Sequence, residues 1–356
     1  MSSAAAPSAE RQVDAALAAL RKGRQIVLSN GELSVAFLSA ELADDAAIAS
    51  FLGDTAPRVL LSTERAARLG LVDPADTGAS FVVELDSITI DEALALANPL
   101  VDQYTPVKPA RQRTPTVPQI ADAAIRLAKM AEVLPALIYR YAREDEAVDL
   151  PVELLETYSP ERGLALSVST NLPVHEDEKA KAFIFREALS DRNHLALWLG
   201  KEKGDATPLV RLHSECLTGD ALSSLKCDCG PQLTAAKQAI AADGGYLVYL
   251  RQEGRGIGLV NKMRAYSMQA RGLDTVDANL HVGFGDDERD YRIAAEMLRQ
   301  LGVSEVRLLT NNPEKIRALE AEGIAVVERI PLELPSNPHN AKYLATKRDK
   351  AGHMLK

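Results

Sequence analysis

Apolar and polar positions alternate along the chain between helical and strand periods. Residues 11–22 (RQVDAALAALRK) repeat apolar side chains at helical spacing, and Gly23 follows as a stop signal. Short β-like runs come next at 26–28, 34–38 and 59–61. Residues 63–69 read as a helix ending near Gly70, 81–85 as a strand and Ile90–Ala97 as a helix. A Pro- and Arg-rich loop spans 105–118, 119–131 has the strongest helical pattern of this half, and 137–141 and 164–169 read as strands. Beyond a polar stretch at 172–181 (LPVHEDEKAK), strands are predicted at 209–212, 246–250, 306–309 and 325–330. Helices are predicted at 232–242, 259–270, 290–301 and 313–322.

This alternation predicts an α/β chain with mixed (α+β) sheets in two domains. The expected division is a disordered tail 1–10, a first domain 11–171, a linker 172–181 and a second domain 182–356. The length of 356 residues fits that count. Apolar residues make up 46% and charged residues 26%, enough apolar material for ordinary cores. No apolar run approaches the ~18 residues of a membrane span, and residues 1–9 lack the apolar centre of a secretory signal. The expected location is cytoplasmic. A formal net charge of −9 argues against non-specific nucleic-acid binding or an anionic membrane surface. It leaves room for a small anionic substrate held by local cations, and Arg211, Lys226, Arg251, Arg255, Lys262, Arg264, Arg289 and Lys315 gather in the second half.

The three cysteines, Cys216, Cys227 and Cys229, all fall in one short window. An odd, clustered count without a secretion signal points to a metal site or a reactive thiol, not a disulfide framework. Three thiolates suit zinc or iron–sulfur and leave one position of a four-coordinate ion for water or substrate. His213 could instead close the site and make it structural, and three buried cysteines could merely pack. Cys227 and Cys229 converge on one ion only if 228–230 turns, which Gly230 permits.

Two stretches suit phosphate. Gly254-Arg255-Gly256-Ile257-Gly258 follows a strand and precedes a helix, where backbone N–H groups can meet an anion. In Thr310-Asn311-Asn312-Pro313-Glu314-Lys315, Asn312 suits an N-cap and Pro313 the first helical position. Lys315 in that first turn opposes the helix dipole. A bound phosphate would relieve the conflict; a surface lysine would simply tolerate it.

Taken in order, these motifs together with Asp287-Glu288-Arg289-Asp290-Tyr291 resemble GTP cyclohydrolase II, from about Pro208 to His353. The resemblance implies a homodimeric, zinc-dependent enzyme that converts GTP to formate, diphosphate and a pyrimidine nucleotide, with Mg²⁺ on the triphosphate. It gives Cys216, Cys227 and Cys229 to zinc. It gives Arg211, Leu212, His213, Ser214, Glu215, Gln232, Glu253, Gly254, Arg255, Thr275, Thr310 and Lys315 to GTP. It makes Asp287 the proton acceptor and Arg289 the nucleophile toward the α-phosphate, with Tyr266 near the reaction. A guanidinium has a poor lone pair, so a clamp on the leaving diphosphate is the physically cheaper role for Arg289. A related ring-opening enzyme for another nucleotide or a uracil-derived compound and a non-catalytic nucleotide sensor are the competing readings. Retention of the zinc cysteines, Asp287 and Arg289 disfavours both.

The first half resembles 3,4-dihydroxy-2-butanone 4-phosphate synthase in outline, through its first helix, residues 58–71 (RVLLSTERAARLGL) and the helix at 123–131. The catalytic pieces of that family are missing. Its acidic loop is Ser29-Asn30-Gly31-Glu32 here, its Gly-His-Thr-Glu segment is Gln119-Ile120-Ala121-Asp122, and a late glutamate is replaced near Arg140 and Tyr141. No histidine precedes His175. A two-carboxylate metal site and a histidine acid/base are both lost. The expectation is a retained scaffold without synthase activity, serving dimerisation or regulation.

Overall fold

The computed structural model describes all residues except 1–8, 74–77, 79, 103–110, 114, 188–191, 202–205, 336, 341–353 and 355–356. Residues 1–8 of the expected tail, half of the expected 105–118 loop and His353 lie outside the described residues, while residues 9 and 10 open a helix and 111–113 form a short strand. In chain order the elements are α1 (Ala9–Arg21), β1 (Ile26–Ser29), β2 (Ser34–Ser39), α2 (Asp45–Leu52), β3 (Arg58–Ser62), α3 (Thr63–Arg68), β4 (Ser80–Glu84), α4 (Ile90–Ala97), β5 (Arg111–Arg113), α5 (Pro118–Met130), β6 (Ala136–Tyr141), β7 (Leu150–Pro151) and α6 (Val152–Glu156). Then come β8 (Leu164–Asn171), β9 (Lys181–Glu187), β10 (Asn193–Leu199), β11 (Leu209–Ser214), α7 (Cys229–Asp243), β12 (Gly245–Leu250), α8 (Gly258–Ala270) and α9 (Thr275–His281). The chain closes with α10 (Arg292–Gln300), β13 (Glu305–Leu309), α11 (Pro313–Ala321) and β14 (Ala325–Ile330).

These elements form two compact units. The first comprises Met1–Tyr158 with Ile257–Glu288, and the second Ser159–Gly256 with Arg289–Lys356. The first is built on a sheet of order β5-β4-β3-β6-β2-β1-β7, antiparallel except where β7 runs parallel to β1. Side chains alternate across it with the period of two that strands impose. Val35, Phe37 and Leu60 join Leu17, Leu20 and Leu127 from α1 and α5 on one face. Ala36, Leu38, Val59 and Leu61 join α2, α4, α8 and α9 on the other. Thr89 and Glu92 form a capping box that starts α4.

The second unit has the sheet order β14-β13-β11-β12-β10-β9-β8. The four strands β14, β13, β11 and β12 are parallel, and β10, β9 and β8 continue the sheet antiparallel. Helices α10 and α11 pack Ile293, Met297, Leu298 and Leu319 against Val210 and Leu212. Helix α7 packs Ala236 and Ile240 against Leu209 and Leu247 on the opposite face. Two expectations change here. Residues 172–181 are not an inter-domain linker, because 172–180 connect β8 to β9, which begins at Lys181 and pairs with β8 as one hairpin within this sheet. The expected second domain, 182–356, is not one body: it gains β8 and gives up 257–288, whose apolar side chains are buried in the first unit. A polar hairpin turn and a polar linker have the same composition, so the pattern alone does not separate them.

Candidate active site

The site residues of the second unit collect at the carboxyl ends of its parallel strands. From β11 the chain proceeds through α7 to β12 on one side, and from β13 through α11 to β14 on the other. Neighbouring strands whose connections leave in opposite directions open a crevice, the usual ligand position in such sheets. Arg211, Leu212, His213, Ser214 and Glu215 lie at the end of β11, and Thr310 follows β13.

Past β11, Cys216 precedes a short π-helical turn, Leu217–Ala221, and its sulfur accepts from the Gly219 N–H at 3.3 Å. Cys227 precedes α7 and Cys229 is its first residue, so the turn expected at 228–230 is a helix start. The three sulfurs lie within 4.8 Å of one another, and those of Cys216 and Cys227 are 3.7 Å apart. A disulfide needs about 2.05 Å. Tetrahedral zinc with bonds of about 2.3 Å places its sulfurs about 3.8 Å apart. The neighbouring Cys216 sulfur pushes the Cys227 thiol above its ordinary pKa, and a cation between them reverses that repulsion. A Cβ on Gly219 would stand 2.9 Å from the Cys227 sulfur and 3.0 Å from that of Cys216, and one on Gly230 only 2.3 Å from the Gly219 carbonyl. Two glycines in contact thus make room for the three sulfurs. The cluster can hold a metal ion.

His213 does not close the site. Its Nε2 is 3.1 Å from both Asp220 oxygens, and its ring stacks on Tyr249 at 5.5 Å. Asp220 also accepts from the Tyr249 hydroxyl at 2.8 Å and from the Cys216 N–H at 3.1 Å. Burial lowers the His213 pKa and raises that of Tyr249, with Asp220 adding to the latter. The carboxylate partner assigns the proton to Nε2, which leaves Nδ1 as a buried acceptor with no hydrogen bond. Asp220 had no assigned role in the sequence; its place four residues after Cys216 was the available signal.

Two buried cations stand close by. Arg211 is 7% and Lys315 6% exposed. Arg211 donates to the Leu309 carbonyl at 2.9 Å and to Gln232 Oε1 at 2.6 Å, and Gln232 donates in turn to Asp228 Oδ2 at 2.6 Å. Burial lowers the Arg211 pKa, and its Nε has no partner. Lys315 Nζ donates to the Leu212 carbonyl at 2.6 Å and sits over the Tyr291 ring at 5.8 Å. It is therefore not a surface lysine. Asn312 caps α11 by accepting from the Glu314 N–H, and Thr310 Oγ1 accepts from the Asn312 N–H at 3.0 Å. Arg289 lies over the same ring, 5.3 Å from the Tyr291 centroid, and donates to Ser214 Oγ at 3.4 Å.

Glu253 is buried and holds two loops at once. One oxygen accepts from the Leu217 N–H at 2.7 Å and the other from Gly254 at 3.0 Å. Gly254, Arg255 and Gly256 follow with φ of 61°, 61° and 89°. A left-handed Arg255 costs backbone energy that a non-glycine residue rarely bears, and such strain favours functional loops. Glu215 pairs with Arg251 at 2.7 Å. Tyr266, Thr275 and Asp287 are in the first unit: Tyr266 on α8 beneath Lys262 Nζ at 5.6 Å, Thr275 at the start of α9 accepting from Gln269 at 3.3 Å, and Asp287 in the loop after α9.

Comparison with known proteins gives the family. A family model described as GTP cyclohydrolase II matches residues 166–331. A GTP cyclohydrolase-2 from Azospirillum brasilense is 41% identical over 366 residues, covering 98% of this chain and 95% of its own. A GTP cyclohydrolase-2 from Azotobacter vinelandii is 59% identical over 172 residues, which are 48% of this chain and 83% of its own. The crystal structure of a two-domain 3,4-dihydroxy-2-butanone 4-phosphate synthase from A. baumannii aligns over 91% of this chain and 99% of its own at 18% identity. Its TM-score of 0.30 does not equate the folds. With near-complete coverage on both sides at 41% identity, this chain belongs to the GTP cyclohydrolase II family.

Proposed function

We propose that the protein hydrolyses GTP to formate, diphosphate and 2,5-diamino-6-ribosylamino-4(3H)-pyrimidinone 5′-phosphate, the first step of riboflavin biosynthesis. Family membership supports the reaction class, and one observation carries it to particular atoms. A three-sulfur cluster and two buried cations, Arg211 and Lys315, stand at the ends of the same parallel strands. A buried guanidinium nitrogen and a buried imidazole nitrogen without partners each cost about 1–3 kcal/mol unless a ligand or water satisfies them.

Zinc on Cys216, Cys227 and Cys229 would supply a Lewis acid that brings the pKa of water toward about 7 at C8 of the purine. The protein residues do the rest. Arg211, Arg255 and Lys315 offset phosphate charge, with Mg²⁺ carried by the triphosphate. Glu253 fixes the Cys216 loop against the Gly254–Gly256 turn. His213, neutral and held by Asp220, offers Nδ1 as an acceptor. A guanidinium over an aromatic face is held by its positive charge, so Arg289 above Tyr291 suits the clamp on the leaving diphosphate. Gln232, Glu215, Ser214, Leu212, Thr275 and Thr310 complete the GTP contacts, with Asp287 as proton acceptor and Tyr266 near the reaction. A homodimer in the cytoplasm accompanies this reading.

The first unit is read as a synthase-like domain without its chemistry. Glu32 is exposed, and Asp122 accepts from Ser80 at 2.6 Å. Arg140 is locked onto Glu146 and the Phe51 carbonyl. Ile120, Ala121 and Tyr141 line a cavity of only ≈ 20 Å³ together with Val35, Phe37 and Leu60. That cavity has room for about one water. The test is metal replacement: chelated protein should lose formate release from GTP, and zinc should restore it. Full activity in zinc-free protein would reject the assignment.

A further inference from the structure

Residues 257–288 carry Lys262, Tyr266, Thr275 and Asp287, yet they are built into the first unit. Met268, Val282 and Phe284 are buried in the same cluster as Ile48, Leu61 and Leu96. Polar contacts fix both ends of the segment. At its start, Asn261 donates to the Glu132 carbonyl at 2.8 Å, and Arg264 meets Glu41 Oε1 at 2.6 Å. The other Glu41 oxygen accepts from the Leu134 N–H at 2.7 Å. Glu132 is left-handed, with φ 60°, and a Cβ on Gly258 would stand 2.2 Å from its carboxylate. Backbone conformation and side-chain size are thus both adapted to close approach.

The far end is held as firmly. Ser62 Oγ donates to the Gly283 carbonyl at 2.8 Å, and a Cβ on Gly283 would come 2.7 Å from Pro135. Arg65, 1% exposed, donates to the Ala95 and Leu96 carbonyls near the end of α4 and to Asp102, and reaches the segment through the His281 carbonyl at the end of α9. Cations are favoured at such carbonyl ends. Lys129 Nζ lies 3.0 Å from Glu288 and 2.9 Å from Glu64. Burial opposes its charge, but the two carboxylates prevail and raise its pKa. Glu288 also accepts from the Gly285 N–H at 2.8 Å, and it directly follows Asp287.

We propose that the N-terminal residues are a positioning scaffold for the cyclohydrolase chemistry, with Glu41 and Lys129 fixing the segment that carries Tyr266, Thr275 and Asp287. The inference rests on the GTP reading for the roles of those residues. The Azotobacter vinelandii relative aligns over 83% of its own length but only 48% of this chain, so the proposal concerns this chain alone. In this chain an inert relic would not require a left-handed glutamate and two ion pairs, Arg264–Glu41 and Lys129–Glu288, on one segment.

The experiment uses zinc-loaded full-length protein carrying Lys129→Met or Glu41→Gln. Small displacements of positioned groups cost up to about 100-fold in rate, and the expected loss in kcat for formate release is about tenfold, with KM for GTP moving far less. Zinc content stays at the wild-type value and the protein stays folded with a modestly lowered melting temperature, amide exchange across 275–288 accelerates, and Lys129→Arg restores the rate. Exchange that accelerates while kcat stays at the wild-type value overturns the proposal, as does exchange that does not change. Absence of formate release from the wild-type protein would reject the GTP reading instead, and the exchange arm would still decide whether these residues hold the segment.

Discussion

Replacing Gly219 by alanine tests the metal cradle at its tightest point. The new Cβ would lie 2.9 Å from the Cys227 sulfur, 3.0 Å from the Cys216 sulfur and 3.0 Å from the Cys229 Cβ. Carbon and sulfur normally approach no closer than about 3.5 Å, so all three cysteines must give way together. Gly219 is not among the positive-φ glycines, and alanine adds no backbone strain. Overpacking of this kind costs about 1–3 kcal/mol. Without metal, the cysteine side chains can move aside and the strain is small. With metal, the sulfurs must hold a tetrahedral spacing, so the strain appears as lost affinity, about 5- to 150-fold in zinc dissociation constant. Competition against a chromophoric zinc chelator measures it, with thermal melting of the metal-free protein as the control for folding. Wild-type zinc affinity in a folded Gly219→Ala protein would refute the reasoning.

Cys227→Ser should abolish zinc binding and formate release together while diphosphate release and GMP formation continue through Arg289; formate at the wild-type rate would contradict this. Ribulose 5-phosphate should give no formate and no four-carbon phosphate at any Mg²⁺ concentration, and appearance of both products would show that Glu32 and Asp122 had rebuilt a site. Glu146 is held at about 2 chiefly by its hydrogen bonds from Arg140. Its stabilising contribution is therefore present above the ordinary carboxylate value of 4.5 and is lost as pH falls from there toward 2. Glu146→Gln should lower the melting temperature at pH 7 and reduce its fall between those pH values, and an unchanged acid profile would argue against the Arg140 pair as the cause.

Local pattern carried most elements because each needed only its own neighbours. Ile90–Ala97 has both an apolar stripe and the Thr89 capping box, and its bounds could be read directly. Helices α2 and α9 were missed because they are only eight and seven residues long, and in α2 the single set Ile48, Phe51 and Leu52 at helical spacing is not repeated. The partition of the chain was not legible. Nothing in the apolar positions of 257–288 says which sheet will cover Met268 and Phe284, since burial partners are set by tertiary packing. A chain begun near Lys179, which the linker reading would suggest, loses β8 and the surface that buries those residues.

At the site, ligand types were legible and arrangement was not. Three cysteines in one window implied a metal, and the structure brings their sulfurs together. Whether His213 closed the set could not be read from spacing, because its choice of Asp220 depends on the π-helical turn that follows Cys216. The conflict of Lys315 with its helix dipole was visible in the sequence, but its burial on the Leu212 carbonyl required β11 and α11 to be side by side.

The most direct test of the central claim is product stoichiometry from GTP. Zinc-loaded protein with Mg²⁺ should release one formate and one diphosphate per GTP consumed, and the pyrimidine nucleotide should appear at the same rate as formate. GTP left intact by zinc-loaded protein, or diphosphate released with GMP and no formate, would contradict the account.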